Sequence, residues 1–272
     1  MNIDLIYFLI DEYLKQTFHQ EDKQSLMSDS EIIFAYVISF NFFSGNYCKT
    51  LCFLKQTNLM KYVLSKSRFS RRIKSLEWKI QEIFTFFSQN FKDTKEKEFC
   101  IDTFPLSICK LVRMRRCKLV KGREYLGYNS SKEEYYYGFK VHLIASRQGG
   151  VIEFDLSPAH LSDLTGFKLL NFDLPDNSEI FADKIYCTYT EEDLLMESSG
   201  IKLSSIRKRN SKKTDNTYMI NHYKSRKRKI IENIISKIQG LFPKKIHCTN
   251  LHGLFIKIFG FILAYNFSIF SL

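Results

Sequence analysis

A chain of 272 residues, 44% of them hydrophobic, is long enough to bury a substantial core in one large domain or in a small one joined to a medium one. Its 41 Lys and Arg against 29 Asp and Glu leave a formal charge of +12, which favours a polyanionic partner, either nucleic acid or an anionic membrane face. The seven cysteines form no C-x-x-C pair, and Cys48-x-x-x-Cys52 has no histidine at zinc-finger spacing, so buried cytosolic thiols are expected rather than a metal-finger scaffold.

From Met1 to about Asn90 the pattern is helical. MNIDLIYFLIDEYL has acids where a signal peptide needs cations and no small-residue cleavage site, so it reads as a mature helix. In SDSEIIFAYVISF, Ser28 and Glu31 have capping-box spacing ahead of an apolar run; Gly45 and Asn46 break it, and KTLCFLKQ resumes. In SKSRFSRRIKSLEWKIQEIFTFF, Phe69, Ile73, Leu76, Ile80, Ile83 and Phe87 recur at three- and four-residue steps and predict one helix with one buried stripe. Arg68, Arg71, Arg72 and Ser75 point elsewhere, as on the exposed face of a recognition helix in a helix-turn-helix or on an ordinary solvated basic face. FKDTKEKEF, residues 91 to 99, has no hydrophobic period and reads as a linker.

Beyond it the texture becomes short strands. EFCIDTF, EEYYYGFKVHLIAS, GGVIEFDLS, SEIFADKIY and the brief IKLSSI are apolar or alternating, while LSDLTGFKLL and EEDLLMESSG read as helices between them. That order predicts a mixed sheet with helices on its faces. In GFKVHL, alternation sets Lys140 and His142 on one strand face, where each either reaches a substrate or edges the core.

Three acids stand out. Asp102 lies inside the apolar strand CIDTFP and Asp183 ends EIFAD; a carboxylate so placed is costly unless paired, protonated, metal-bound or solvated at the strand end. Glu232 sits on a long helix whose buried stripe is Ile230, Ile231, Ile234, Ile235 and Ile238, with Ser225, Arg228, Glu232, Ser236 and Gln239 on a neighbouring polar stripe. An Arg228–Glu232 pair four residues apart is the structural account, and it has the weaker orientation. The functional account is that the three carboxylates converge on divalent cations, which take oxygen ligands and promote in-line phosphoryl displacement.

Dense cations flank these acids: Lys202, Arg207, Lys208, Arg209, Lys212, Lys213, Lys224, Arg226, Lys227, Arg228 and Lys229 on one side. Lys110, Arg113, Arg115, Arg116, Lys118, Lys121 and Arg123 follow the Asp102 strand. Charge runs are commonly solvated faces, but this placement favours phosphate binding. At the end of the chain, GLFIKIFGFILAYNFSIFSL approaches the length of a bilayer span; its Lys257 and Asn266 favour a buried helix closing the core over a membrane anchor.

In their order and spacing, GNYCKTLCFLK, LSKSRFSRRI, IDTFPLSIC, EEYYYGFKVHLI, SPAHLSDL, ADKIYC and RKRKIIENIISKI resemble DDE transposases of the insertion-sequence 982 family over nearly the whole chain. The resemblance implies a helix-turn-helix domain over residues 1–92, followed over residues 93–272 by a ribonuclease-H-like catalytic domain: an α/β mixed sheet flanked by helices, with the apolar C-terminal helix closing it. It implies a DNA transposase in which Asp102, Asp183 and Glu232 hold two Mg²⁺ or Mn²⁺ ions. Such an enzyme cuts double-stranded DNA at the element's terminal inverted repeats and joins the freed 3′-hydroxyl to target DNA. The residues expected at DNA are Arg68, Arg71, Arg72, Lys140, His142, Arg226, Arg228 and Lys229.

A homodimer in a synaptic complex, a cytoplasmic, nucleoid-associated location and no membrane contact follow by the same analogy. His160 and Asp163 match a further block, where capping by Ser162 or Asp163 explains them equally well. Ile185 stands where the family usually has Gly, Gln239 where several relatives carry Lys or Arg, and the chain stops soon after its apolar helix. These departures motivate an alternative, a decayed copy that binds the terminal repeats without cutting. A membrane-associated basic protein anchored by residues 253 to 272 is a third reading.

Overall fold

The structure, a computed structural model, describes residues 2–22, 24–92, 97–186, 188–207 and 218–270. Residues 93–96 of the predicted linker, Cys187, and Lys208, Arg209, Lys212 and Lys213 of the predicted basic run lie outside the described residues. The chain forms two compact units: Met1–Phe87 with Lys237–Leu272, which is helical, and Ser88–Ser236, which carries the sheet.

The helical unit contains α1 (Ile3–Gln16), α2 (Asp29–Phe43), α3 (Tyr47–Gln56), α4 (Lys66–Ser75), most of α5 (Glu77–Lys92) and, from the other end of the chain, α9 (Leu251–Phe270). The predicted capping box starts α2: Ser28 Oγ accepts from the Glu31 amide at 3.1 Å, and the Glu31 carboxylate accepts from the Ser28 amide at 2.8 Å. Nearly every side chain from Ile32 to Phe40 is buried, so α2 is surrounded rather than amphipathic. Tyr7 of α1 meets Phe34 edge-on with ring centroids 5.5 Å apart, and Phe261 of α9 meets Phe40 at 4.7 Å.

Helix α9 is long and apolar enough to cross a membrane, with 20 residues and a mean hydropathy of 1.7, yet Phe261 to Phe267 is buried inside this unit. Here the structure differs from the expectation that this helix closes the catalytic core: it packs on α2. The physical reason is a close crossing, since a Cβ added at Gly260 would lie 2.1 Å from Phe40 Cε2. Asn266 is buried, and the Lys257 ammonium donates to the His247 carbonyl, so both polar residues of the apolar run are accommodated.

The single predicted basic helix is two. Leu76 leaves the helical region (φ −97°, ψ 7°) between α4 and α5, and Ser75 Oγ donates back to the Arg72 carbonyl at 2.8 Å, competing with the regular ladder. The apolar stripe survives the break: Phe69, Ile73, Leu76, Ile80, Ile83 and Phe87 are all buried. The cysteines correct another expectation. Cys100 is buried, but Cys48 and Cys52 are exposed, and Cys109, Cys117 and Cys248 are half-buried.

In the sheet unit, β1 (Glu98–Cys109), β2 (Leu126–Asn129), β3 (Glu134–Ser146), β4 (Val151–Pro158), β5 (Glu179–Ala182) and β6 (Lys202–Ser205) form one mixed sheet among the described residues, ordered β2-β3-β1-β5-β6. Strand β4 pairs with β3 beside β2. Strand β3 runs antiparallel to β1, while β5 and β6 run parallel to it. Helices α6 (Asp163–Phe167), α7 (Tyr189–Ser199) and α8 (Tyr218–Leu241) follow β4, β5 and β6. This is the predicted mixed sheet flanked by helices. Strand β2 escaped the sequence pattern because four residues, LGYN, carry no readable alternation; pairing with Glu134–Tyr137 makes them a strand. Pro105 is tolerated in β1 because the partnership with β5 runs only from Glu98 to Cys100, leaving that side free of ladder bonds further along.

Replacing Gly260 by Ala tests the α2–α9 crossing. The helix propensity gained is smaller than the overpacking against a fully buried Phe40, so we expect a net loss of about 1–3 kcal/mol in urea unfolding. An unchanged or raised midpoint would show that the two helices do not approach this closely.

Candidate active site

The parallel register of β1 and β5 sets Cys100 opposite Phe181. Two residues further along each strand, and therefore on the same side of the pleat as these partners, come Asp102 and Asp183. Sheet register alone thus makes neighbours of two carboxylates far apart in sequence.

Helix α8 supplies the third. Its Lys227 ammonium pairs with the Glu98 carboxylate at the start of β1, and Tyr223 donates its hydroxyl hydrogen to Glu98 Oε1 at 3.1 Å. Cys100 Sγ donates to the Lys227 carbonyl at 3.4 Å, and Lys224 Nζ donates to the Ser205 carbonyl of β6 at 3.2 Å. Ile231, Ile234 and Ile235 are buried as the apolar stripe predicts, whereas Ile230 is half-exposed. With the helix held at these points, Arg228 and Glu232, one turn apart, stand over Asp102 and Asp183.

The Arg228 guanidinium joins all three acids. It lies 2.7 Å from Asp183 Oδ1, 2.7 Å from Glu232 Oε1 and 3.9 Å from Asp102 Oδ2. The Arg228–Glu232 pair is therefore formed, as one arm of a three-way contact. Asp102 is the most enclosed of the acids: its side chain is 21% accessible, against 32% for Asp183 and 51% for Glu232. Burial pushes its carboxyl up to about 6, and Asp183 and Glu232 add to the rise. The Thr103 amide, donating at 2.8 Å, and Arg228 oppose it.

Carboxylates gathered in this way suit a hard divalent cation, which takes oxygen donors. The nearby Cys100 thiol is pushed up to about 12, chiefly by burial, and stays protonated rather than competing as a soft ligand. Among the described residues no group of three His, Cys, Asp or Glu side chains is close enough to hold a metal as it stands. The guanidinium lies among the three carboxylates and supplies the positive charge there. Its own Nε is buried without a hydrogen-bond partner among the described residues, so the arginine's donors are incompletely satisfied in this position. The donor set fits a divalent cation in type once that side chain is withdrawn.

The other residues singled out in the sequence divide into two groups. Arg226 and Lys229 are exposed on α8, and Arg68 and Arg71 are exposed on α4; Lys110, Arg113, Arg115, Arg116, Lys118, Lys121 and Arg123 are exposed after β1. Arg72, Lys140 and His142 are engaged internally. Arg72 pairs with the buried Asp29, which His19 also contacts at 2.8 Å. Lys140 Nζ lies 2.8 Å from Asp163 Oδ1 and 2.8 Å from the Leu161 carbonyl.

His142 is fully buried, with Nε2 2.7 Å from Ser157 Oγ, and its ring fills the space left by Gly166, where a Cβ would lie 1.9 Å from Cε1. Burial holds its pKa down to about 4, so the ring is neutral and couples β3 to β4 instead of facing solvent. Ser162 is the cap of α6, its Oγ accepting from the Thr165 amide at 3.1 Å. Sequence reasoning missed Glu98. Its partners Lys227, Tyr223 and Arg147 are distant in the chain, and no local pattern marks it as the anchor of α8.

A family model described as a transposase DDE domain matches residues 92–248, a span enclosing Asp102, Asp183, Glu232 and the Arg228 that joins them. Among curated proteins and among solved structures, none matches the chain.

The buried imidazole sets a pH dependence. The unfolded chain takes up a proton on His142 as pH falls below 6.5, which the folded chain resists until about 4. The stabilisation is therefore complete above pH 6.5 and lost as pH falls through this window. Relative to His142→Gln, which does not titrate, the wild-type protein should lose about 3 kcal/mol across it, measured by urea unfolding. A difference that stays constant with pH would mean that the ring is not held neutral.

Proposed function

We propose, since this chain belongs to the transposase DDE-domain family, that it moves an insertion sequence of the 982 type by metal-dependent cleavage and strand transfer. The observation that carries the reading is the convergence of Asp102, Asp183 and Glu232 on one guanidinium. In this reading Asp102, Asp183 and Glu232 would hold two Mg²⁺ or Mn²⁺ ions. Bound there, the ions supply activation of an attacking oxygen and stabilisation of a leaving one during in-line displacement at phosphorus. Water first attacks the phosphodiester at the element end and breaks its P–O3′ bond to free a 3′-hydroxyl; that hydroxyl then attacks a target phosphodiester, whose own P–O3′ bond breaks to release a target 3′-hydroxyl.

The chain's own residues orient the reactants. Arg228 leaves the carboxylates and turns its planar fork to a DNA phosphate, which it matches in two parallel hydrogen bonds. The exposed Arg226 and Lys229 flank it on α8 and grip the backbone on either side. Asp102, whose carboxyl burial pushes up to about 6 while Arg228 opposes the rise, would hold an ion through its ionised form. Arg68 and Arg71, exposed on α4, contact the terminal repeats as the recognition helix of residues 1–92. Arg72, Lys140 and His142 are assigned supporting roles because their internal contacts hold them. Pairing of two element ends implies a homodimer, acting on DNA in the cytoplasm.

The rival, an end-binding copy that no longer cuts, rests on Ile185 and Gln239. Ile185 occupies a single turn of 3-10 helix, Lys184–Tyr186, and is not among the residues with positive φ, so its side chain imposes no backbone strain after Asp183. Gln239 is exposed on α8. Neither residue disturbs the carboxylates, and the catalytic reading is preferred.

Two measurements test it. Purified protein given its own element ends and Mg²⁺ should release a 3′-hydroxyl end, and Asp102→Asn should abolish cleavage while keeping both fold and DNA affinity. Equal cutting by the variant would remove the mechanism. Arg228→Gln, which withdraws the competing charge, should bind Mn²⁺ more tightly than wild type in the absence of DNA, as read by calorimetry; weaker binding would mean that the guanidinium does not compete with the ion.

A further inference from the structure

The helical unit contains a cleft of about 1040 Å³, walled by the end of α2, the first turns of α3 and α9, one face of α4 and the segment before α9. Among the described residues, six lysines line it, namely Lys49, Lys66, Lys74, Lys244, Lys245 and Lys257, and no Asp or Glu does. None of the six has a carboxylate within ion-pair distance among the described residues. Such a concentration of one sign is unusual beside lysines that do find partners, as Lys15 finds Asp11 at 2.6 Å and Lys79 finds Glu82 at 2.6 Å in the same unit.

Lys257 is the fixed point of the cleft. It is half-buried on α9, its ammonium donates to the His247 carbonyl, and it lies 5.5 Å over the Tyr47 ring. Burial lowers its pKa; Cys248 opposes the fall, and Lys66 adds to it. A cation desolvated beside another cation is relieved by an anion, and the wall offers more of the same polarity. Tyr47 to Lys49, Lys66, and His252 with Gly253 belong to the first turns of three helices, whose amide ends carry partial positive charge. Arg68 and Arg71 are other residues of α4 and do not line the cleft, so a ligand here is met by a different lysine set.

We propose that this cleft is a phosphate-binding groove that holds the backbone of a DNA strand, separate from the exposed arginines of α4. The proposal rests on the reading of DNA as the partner, and it adds a second set of backbone contacts on the helical unit. Lys244, Lys245 and Lys257 come from the C-terminal segment and Lys49, Lys66 and Lys74 from the N-terminal helices, so the groove exists only when α9 is docked in its unit. Point-like ammonium groups of this kind position a backbone without reading sequence.

The test uses the full chain in EDTA, so that binding is separated from cutting, with a fluorescent DNA duplex titrated at several salt concentrations. Removing one lysine–phosphate pairing lowers the slope of log affinity against log salt by about 0.9. The double variant Lys244→Ala, Lys245→Ala should lower it by about 2, and Lys257→Met by about 1, whereas Lys132→Ala, in the sheet unit, should leave it unchanged. Acetylation of the wild-type protein, read by mass spectrometry, gives an arm that needs no variant: duplex should protect Lys66, Lys244, Lys245 and Lys257.

Wild-type slopes in both cleft variants together with unprotected lysines would overturn the groove while leaving the DNA reading intact. Protection by inorganic phosphate alone, with none from duplex, would overturn it in favour of a small-anion site. Failure of the wild-type protein to bind duplex at all would remove the DNA reading and this inference with it.

Discussion

Three like charges brought to one place repel, and the sheet unit is organised around the cation that makes their meeting tolerable. Arg228 touches Asp183 and Glu232 at 2.7 Å and approaches Asp102 to 3.9 Å. Each acid arrives by a different device. Asp102 is carried inside β1, Asp183 stands just past the end of β5 in matching parallel register, and Glu232 rides on α8. The arginine and the glutamate share a helix turn, so the counter-charge is delivered with the third acid and cannot be misplaced relative to it.

The anchors of α8 serve the same end. Glu98 at the start of β1 receives Lys227 and Tyr223, and the Cys100 thiol donates to the Lys227 carbonyl, so the helix is held to the strand that bears Asp102 only a few residues away. A slip of one residue in α8 would turn Arg228 and Glu232 by about 100°. The buried isoleucine stripe opposes that slip, and the polar anchors set the position along the axis. Beside this, His142 ties β3 to β4 from within, a use of a histidine that needs neutrality rather than charge.

Different physics governs the helical unit. Helix α2 is buried almost all round, so it has no single apolar face to direct its packing, and shape decides its neighbours. Gly260 allows α9 to approach Phe40, and aromatic rings fill the remaining space at Tyr7, Phe34 and Phe261. An apolar segment of 20 residues thereby becomes a core element. The cleft lined by lysines is a consequence of the same docking, because it draws its walls from both ends of the chain.

Much of this was legible in the residues themselves. The capping box at Ser28, the apolar stripe from Phe69 to Phe87, the long strands and, apart from Ile230, the isoleucine face of α8 are local patterns, set by side-chain period and backbone hydrogen bonding, and they appear where the sequence places them. Asp102, Asp183 and Glu232 were conspicuous because a carboxylate among apolar neighbours demands a reason. What the pattern could not carry was pairing across distance. The pairing of Arg72 with the buried Asp29, the neutral His142 behind Gly166, the anchor at Glu98 and the docking of α9 on α2 each depend on a partner that no local period reveals. Amino-acid order by itself determined the elements and the acids that needed explaining, because those follow from short-range geometry and the cost of burying charge. Tertiary structure alone decided that one guanidinium serves all three acids, because that depends on strand register and helix docking, which are settled only when distant surfaces meet.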